Sequence, residues 1–257
     1  MKSATLRTHD DIQIPQMGFG TYGIRPATDA VLHALRSGYR HLDTADIYGT
    51  HENCAEAIEK SGIPRNEVFI TTKLWSQDVP GNKVAPAVDR FLRELNTDYI
   101  DLLLIHWPVP GVPVSETLAA MDAERKAGKV RALGVSNFSV ADMEEALISR
   151  YPVTNNQIKY NLSNRPDDIV EYCFANKVTA TAYSPVKSQG NRETQKLLGE
   201  LASKYHVTNQ EVMLAWLMAK GMIVIPRSSV AKNIETNYRS LQLKLTPDEV
   251  NGLDQLS

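Results

Sequence analysis

Short apolar runs alternate with helix-period segments through almost the whole of this 257-residue chain, and nothing else in the sequence constrains the fold as tightly. The strand-like runs are 17–20, 40–43, 68–73, 100–106, 131–135, 156–158, 179–182 and 222–225. Helical periodicity occupies 28–36, 52–60, 83–95, 116–126, 140–147, 167–175 and 193–204. A further helix, 210–219, precedes the last run, and two more follow it, 231–241 and 247 onward. Strand, crossover helix and strand in succession impose parallel pairing with both sheet faces covered. Leu102-Leu103-Leu104-Ile105 is apolar at consecutive positions, as a strand buried on both faces requires. About eight such units in roughly 250 residues is the size of a (β/α)8 barrel. Two short pieces ahead of them, 4–7 and 12–14, joined by Thr8-His9-Asp10-Asp11, read as a hairpin. The expected fold is therefore α/β: a (β/α)8 TIM barrel with an N-terminal β-hairpin and two extra helices. With no Pro/Gly/Ser linker or charge block to divide it, residues 1–257 read as a single domain.

Composition narrows the classes of partner. A formal net charge of −2 provides no global field for nucleic acid or an anionic membrane. No apolar stretch approaches the ~20 residues of a membrane-spanning helix, and Met1-Lys2-Ser3-Ala4-Thr5, with no apolar run behind it, gives no expectation of a secretory signal. Cys54 and Cys173 are far apart and read as free thiols of a reducing compartment. His9, His33, His41, His51 and His206 show no metal-ligand spacing. A cytoplasmic monomer acting on a small molecule, without a metal, is the expectation.

The chemistry sits at the ends of three runs. The run ending at Asp43 leads through Thr44-Ala45-Asp46-Ile47 to Tyr48; the next ends at Lys73, and the one after at His106. On neighbouring parallel strands these four side chains converge on the C-terminal rim, where barrels build their active sites. Free tyrosine, with a pKa near 10, is a slow proton donor at neutral pH, and a nearby ammonium is expected to lower that value. Asp43 can hold Lys73 in place, and His106 can orient a carbonyl oxygen. No side chain here is an evident nucleophile, so a bound hydride donor would complete the reaction. Singly, each residue has an ordinary structural role; together they mark a functional cluster.

Gly18-Phe19-Gly20-Thr21-Tyr22-Gly23 matches the G-x-G-x-x-G pattern of dinucleotide-binding turns, with Asp43 standing 20 residues beyond Gly23. In that fingerprint the helix opens inside the glycine turn. Here Ile24-Arg25-Pro26 intervenes and the helix starts only near Ala27 or Thr28. A close turn at the barrel mouth is the better reading, with a Rossmann-type dehydrogenase as a rival.

From about Ile14 to about Asn237 the chain resembles the aldo-keto reductase superfamily. The likeness rests on Asp43-Thr44-Ala45-Asp46-Ile47-Tyr48, Thr71-Thr72-Lys73-Leu74-Trp75, Leu104-Ile105-His106-Trp107-Pro108, Gly134-Val135-Ser136-Asn137-Phe138, Asn156-Gln157, Ala182-Tyr183-Ser184-Pro185 and Ile225-Pro226-Arg227-Ser228-Ser229. It is most similar to small bacterial members that reduce 2,5-diketo-D-gluconate or methylglyoxal. The resemblance implies that Tyr48 is the general acid in reduction, that Lys73 and Asp43 tune it, and that His106 orients the carbonyl. It implies a nicotinamide cofactor, NADPH with NADH as a second donor. Ser136, Asn137 and Gln157 would hold the carboxamide, Tyr183 would stack on the ring, and Ser184 and Pro185 would adjoin it. Gly20 and Thr21 would border the cofactor, and Tyr22, Trp75 and Trp107 the substrate. Arg227, Ser228 and Ser229 would grip the adenosine phosphate, with Asn237 near the adenine. Where many relatives carry basic residues three and six positions after Arg227, this chain has Val230 and Asn233, with Lys232 between them. The loop after His106 is short, with Ser115 expected to cap the next helix, and the chain ends at Ser257. An open pocket for small polar carbonyls is the expectation. A non-catalytic, nicotinamide-binding redox sensor is the alternative.

Overall fold

The computed structural model describes residues 5–187 and 191–256; Ala4 and Ser257, at the ends of two expected elements, lie outside them. Strands β1 (Thr5–Arg7) and β2 (Gln13–Pro15) form an antiparallel hairpin in which Leu6 faces Ile14. Eight parallel strands follow, and their order in the sheet is their order in the chain. They are β3 (Phe19–Gly20), β4 (His41–Asp43), β5 (Phe69–Leu74), β6 (Ile100–Ile105), β7 (Val130–Ser136), β8 (Val153–Lys159), β9 (Thr179–Tyr183) and β10 (Ile223–Val224). Hydrogen bonds from Gly18 N to Val224 O (2.8 Å) and Gly20 N to Pro226 O (3.1 Å) join the two ends and close the barrel.

The helices are α1 (Ala27–Ser37), α2 (His51–Ser61), α3 (Gly81–Glu94), α4 (Val114–Lys126), α5 (Val140–Ile148), α6 (Asp167–Ala175), α7 (Arg192–Tyr205), α8 (Asn209–Ala219), α9 (Ala231–Arg239) and α10 (Pro247–Asp254). Helices α8 and α10 stand outside the count of one helix per strand. Reciprocal capping boxes start both, Thr208 with Glu211 and Thr246 with Glu249, satisfying amides that the first turn leaves open. Helix α4 departs from expectation: it begins at Val114 after Pro113, with no side-chain cap, so Ser115 lies inside the helix.

Strand β8 begins at Val153 rather than 156, because its polar start, Thr154-Asn155-Asn156, is buried rather than solvated. Asn155 Nδ2 donates to Thr179 Oγ1 and Thr181 Oγ1, both at 2.9 Å, which satisfies its amide in place of water.

Side chains on a strand alternate between its faces, and that parity builds the site. Along β6, Leu103 and Ile105 join the outer core beneath the helices. Leu102 and Leu104 instead join a separate cluster with Ile14, Phe69, Ala132 and Ile223, against which Leu6 and Ile12 of the hairpin pack. The hairpin thus plugs the barrel at its N-terminal end. Carried up the strands, the same inward parity runs from Phe69 to Lys73, from Leu104 to His106, from His41 to Asp43 and from Ala132 to Ser136. An apolar floor becomes a polar rim within four residues.

Candidate active site

Lys73 has no solvent exposure. Its ammonium donates to Asp43 Oδ1 at 2.6 Å and to the Thr44 carbonyl at 2.9 Å. The other Asp43 oxygen accepts from Gln157 Nε2 at 2.7 Å. Burial alone would lower the lysine pKa; the adjacent Asp43 carboxylate, with Tyr48, outweighs it and holds the value above normal. A full positive charge is therefore kept beneath the rim. Gln157, expected to meet a carboxamide, donates its amide nitrogen to Asp43 and so adds a second restraint on that carboxylate.

Tyr48 ends a 3₁₀ turn, Asp46–Tyr48, in the loop after β4. The Lys73 ammonium lies 5.0 Å from its ring centroid. Against expectation, the Tyr48 pKa is raised: burial of the phenolate is the largest cause, and Lys73 opposes it without prevailing. The phenol thus keeps its proton at neutral pH, and the ammonium favours the anion formed once that proton leaves. Hydroxyls unforeseen from the sequence pin this loop. Thr50 Oγ1 lies 2.8 Å from Thr44 Oγ1 and 2.9 Å from Thr21 Oγ1, and Thr21 also donates to the Asp43 carbonyl at 3.0 Å.

His106 follows β6 and stands edge-on between two rings, 5.6 Å from Tyr48 and 5.1 Å from Trp75. Burial, and then the Lys73 charge, push its pKa down to about 3, so the imidazole is neutral at physiological pH. Its Nδ1 is sealed from solvent and has no hydrogen-bond partner among the described residues. A neutral imidazole carries one N–H and one lone pair, which suits it to donate to a carbonyl rather than to attract an anion.

A second polar chain adjoins His106. Tyr183 OH donates to Asn137 Oδ1 at 2.9 Å, and Asn137 Nδ2 donates to Ser136 Oγ and the His106 carbonyl, both at 3.0 Å. Ser136 donates to the Gln157 carbonyl at 2.8 Å. Asn137 and Ser184 hold left-handed φ values of 60° and 53°, sparsely populated conformations that cluster at functional sites. The Tyr183 ring is half-buried, and Pro185 behind it is buried.

The expected phosphate end is open. Arg227 and Ser229 are exposed, and Ser228 Oγ accepts from Val230 N at 3.0 Å. The Arg227 guanidinium lies 5.6 Å from the ring of Tyr22, which in turn packs at a tilt against Tyr48, 5.0 Å between ring centroids. Asn233 is exposed, as are Val230 and Lys232. Asn237 is buried in α9, where its carbonyl accepts from the Ser240 hydroxyl. Trp107, at 46% exposure, projects from the rim, whereas Trp216 is core. The glycine pattern serves the barrel wall: a Cβ at Gly18 would stand 2.7 Å from the His41 ring, and one at Gly20 would stand 3.0 Å from the Ile225 carbonyl. A Rossmann turn is excluded by this setting.

The residues present fit a nicotinamide dinucleotide. Among the described residues a sealed imidazole nitrogen lacks a partner, a half-buried aromatic ring stands beside the Asn137 amide, and an exposed guanidinium is followed in the chain by two serines. A charge-holding device at the C-terminal rim of a parallel barrel defines an enzyme site. The comparisons agree. Residues 16–257 match the model of the aldo/keto reductase family. Methylglyoxal reductase DkgB of Salmonella typhi is 36% identical over 251 residues, 95% of this chain and 93% of that protein. A crystal structure of an aldo/keto reductase from Brucella melitensis superposes with TM-score 0.94 at 34% identity, covering 99% of this chain and 100% of that one. An aldo-keto reductase of Bombyx mori in complex with NADP gives TM-score 0.92 at 30% identity, over 99% and 93% of the two chains. This chain belongs to the aldo/keto reductase family, and it is an oxidoreductase.

Proposed function

We propose that this enzyme reduces small aldehydes and ketones, of the methylglyoxal and keto-sugar-acid kind, to alcohols, using NADPH in preference to NADH. The observation that carries the reading is the sealed Lys73–Asp43 pair beneath a protonated Tyr48. The chemistry a bound reduced nicotinamide supplies is a hydride for the carbonyl carbon. His106 donates a hydrogen bond to the carbonyl oxygen and aims it at Tyr48. As negative charge grows on that oxygen, Tyr48 gives its proton, and the phenolate left behind faces the Lys73 ammonium. Asp43, held by Lys73 and Gln157, keeps that ammonium charged and fixed. In oxidation the same phenol works in reverse as the base.

Asn137 and Tyr183 would position the nicotinamide, with Ser136 and Gln157 supporting them from below. Arg227 would take the 2′-phosphate bidentately, with Ser228 and Ser229 adding hydroxyls. Exposed Val230 and Asn233 in place of basic residues make the preference for NADPH one of degree. The exposed rings of Tyr22 and Trp107 leave the mouth open, which suits short polar carbonyls. Cys54 and Cys173 are free and buried, with thiols pushed up to about 12 and about 11, which suits a reducing compartment such as the cytoplasm. Among the described residues no helix is long and apolar enough to cross a membrane.

The test is NADPH oxidation with methylglyoxal, a keto-sugar acid and a steroid ketone, wild type against Tyr48→Phe. Turnover of the small carbonyls that Tyr48→Phe abolishes is the expected result. Cofactor binding without turnover across the panel would leave a nicotinamide-binding sensor, and a steroid preference would overturn the substrate assignment.

A further inference from the structure

We propose that Arg90 is a positioning residue for the reaction, clamping the turn that carries Tyr48 to the turn that follows Trp75. The proposal rests on the reading of Tyr48 as proton donor. Arg90 lies on α3 and reaches two separate loops at once. One guanidinium nitrogen donates to Asp46 Oδ1 at 2.5 Å and the other to Asp78 Oδ2 at 2.7 Å. Asp46 opens the 3₁₀ turn that ends at Tyr48. Asp78 closes the 3₁₀ turn Ser76–Asp78, whose N-cap is Trp75. Tyr48 and Trp75 are the two rings that flank His106, so the span of one guanidinium sets the width of the slot in which the imidazole sits.

Burial holds the Tyr48 turn only in part. Asp46 and Tyr48 are half-buried, and Ile47 at its centre is 51% exposed. Polar ties complete its placement. The threonine hydroxyls secure its inner edge, and Arg90 is the corresponding tie on its outer edge. The tie is itself anchored: Glu94, one helical turn on, lies 3.6 Å from Arg90 and 2.7 Å from His51 Nδ1. His51 Nε2 in turn lies 2.7 Å from the hydroxyl of Thr72, the residue before Lys73 on β5. Outer loops and catalytic strand are thereby fastened in one network.

A guanidinium suits the task because its planar fork presents separate N–H groups to two carboxylates, whereas an ammonium is a single point charge. Without it, Asp46 and Asp78 would face each other uncompensated. Asp78 is already held above the usual carboxylate range, by burial first and by Asp46 as well.

The experiment compares Arg90→Met and Arg90→Lys in the full chain, with methylglyoxal and NADPH. Misplacement of a reacting group by ~1 Å costs on the order of 100-fold in rate, so kcat of Arg90→Met is expected to fall by about 10- to 100-fold. The KM for NADPH should not move, and Arg90→Lys should recover part of the loss. In a Tyr48→Phe background, Arg90→Met should add nothing, because the two losses share one cause. Wild-type kcat in Arg90→Met, or full additivity with Tyr48→Phe, would overturn the clamp and leave the donor assignment standing. Undiminished turnover by Tyr48→Phe alone would remove the donor assignment and the clamp with it. Should Arg90→Met not fold, Asp46→Ala breaks the same contact from the loop side. The same fall in kcat is then expected, and an unchanged kcat overturns the proposal.

Discussion

The two ends of the candidate site are built on opposite plans. At the rim above β4 and β5, Asp43, Lys73 and Gln157 are buried and hydrogen-bonded to one another. At the mouth beyond β10, Arg227 and Ser229 are exposed, and the guanidinium rests against the ring of Tyr22. The first arrangement has its charges fixed before any ligand arrives, which is what stabilising a transient charge requires. The second has its donors free, which is what gripping a phosphate requires. Chemistry is therefore expected to fail through the rim and affinity through the mouth.

The largest test of that division is Tyr48→Phe. Loss of a general acid costs on the order of 10²- to 10⁴-fold, so kcat should fall by that range while the dissociation constant for NADPH stays put. A shift in cofactor affinity of similar size would merge the two regions. Next comes Lys73→Met, which leaves Asp43 buried beside Gln157 alone. Breaking a buried pair from one side costs about 3–5 kcal/mol, to be read from denaturant unfolding. A loss near the ~1 kcal/mol of an ordinary hydrogen bond would show that Gln157 suffices to hold Asp43. Arg227→Ala should raise the KM for NADPH about 10- to 100-fold, the worth of a charged hydrogen bond, and leave the KM for NADH and kcat unchanged. Equal effects on both cofactors would sink the phosphate assignment.

A last effect, shared by two residues, is of pH. His41, buried inside the barrel, has its pKa pushed down to about 4, and His106 to about 3. Near pH 6.5 the unfolded chain binds a proton on each histidine that the folded chain refuses. Stability therefore falls as pH drops through the window from about 6.5 toward those values, by about 1.4 kcal/mol per unit for each residue. Melting temperatures from pH 7 to pH 5 should decline, and His41→Gln should flatten the slope. A slope unchanged by that substitution would place the proton uptake elsewhere.

Much of this arrangement was legible in the residues. Alternation of apolar runs and helical segments implied the barrel, and strand parity implied that Asp43, Lys73 and His106 would share a rim. Other points were not legible, and three of them show the physical reason. The early start of β8 was hidden because Thr154-Asn155-Asn156 is polar, and nothing local says that Thr179 and Thr181 will satisfy it. The link from Gln157 to Asp43 spans 114 positions and depends on how the barrel closes. The sense of the Tyr48 shift depends on a contest between desolvation and the Lys73 charge, and composition or spacing cannot weigh the two. Motif reading thus located the participants better than it predicted their balance.

The seam of the barrel has a mechanical consequence. Strands β3 and β10 are the shortest in the sheet, two residues each, and backbone hydrogen bonds between 16–20 and 224–226 stitch its ends together. Gly20, Thr21 and Tyr22 lie on one side of that stitch and Arg227 on the other. On the reading proposed above, a dinucleotide held by both sides would act as a strap across this short join, so that occupancy and integrity of the wall rise together.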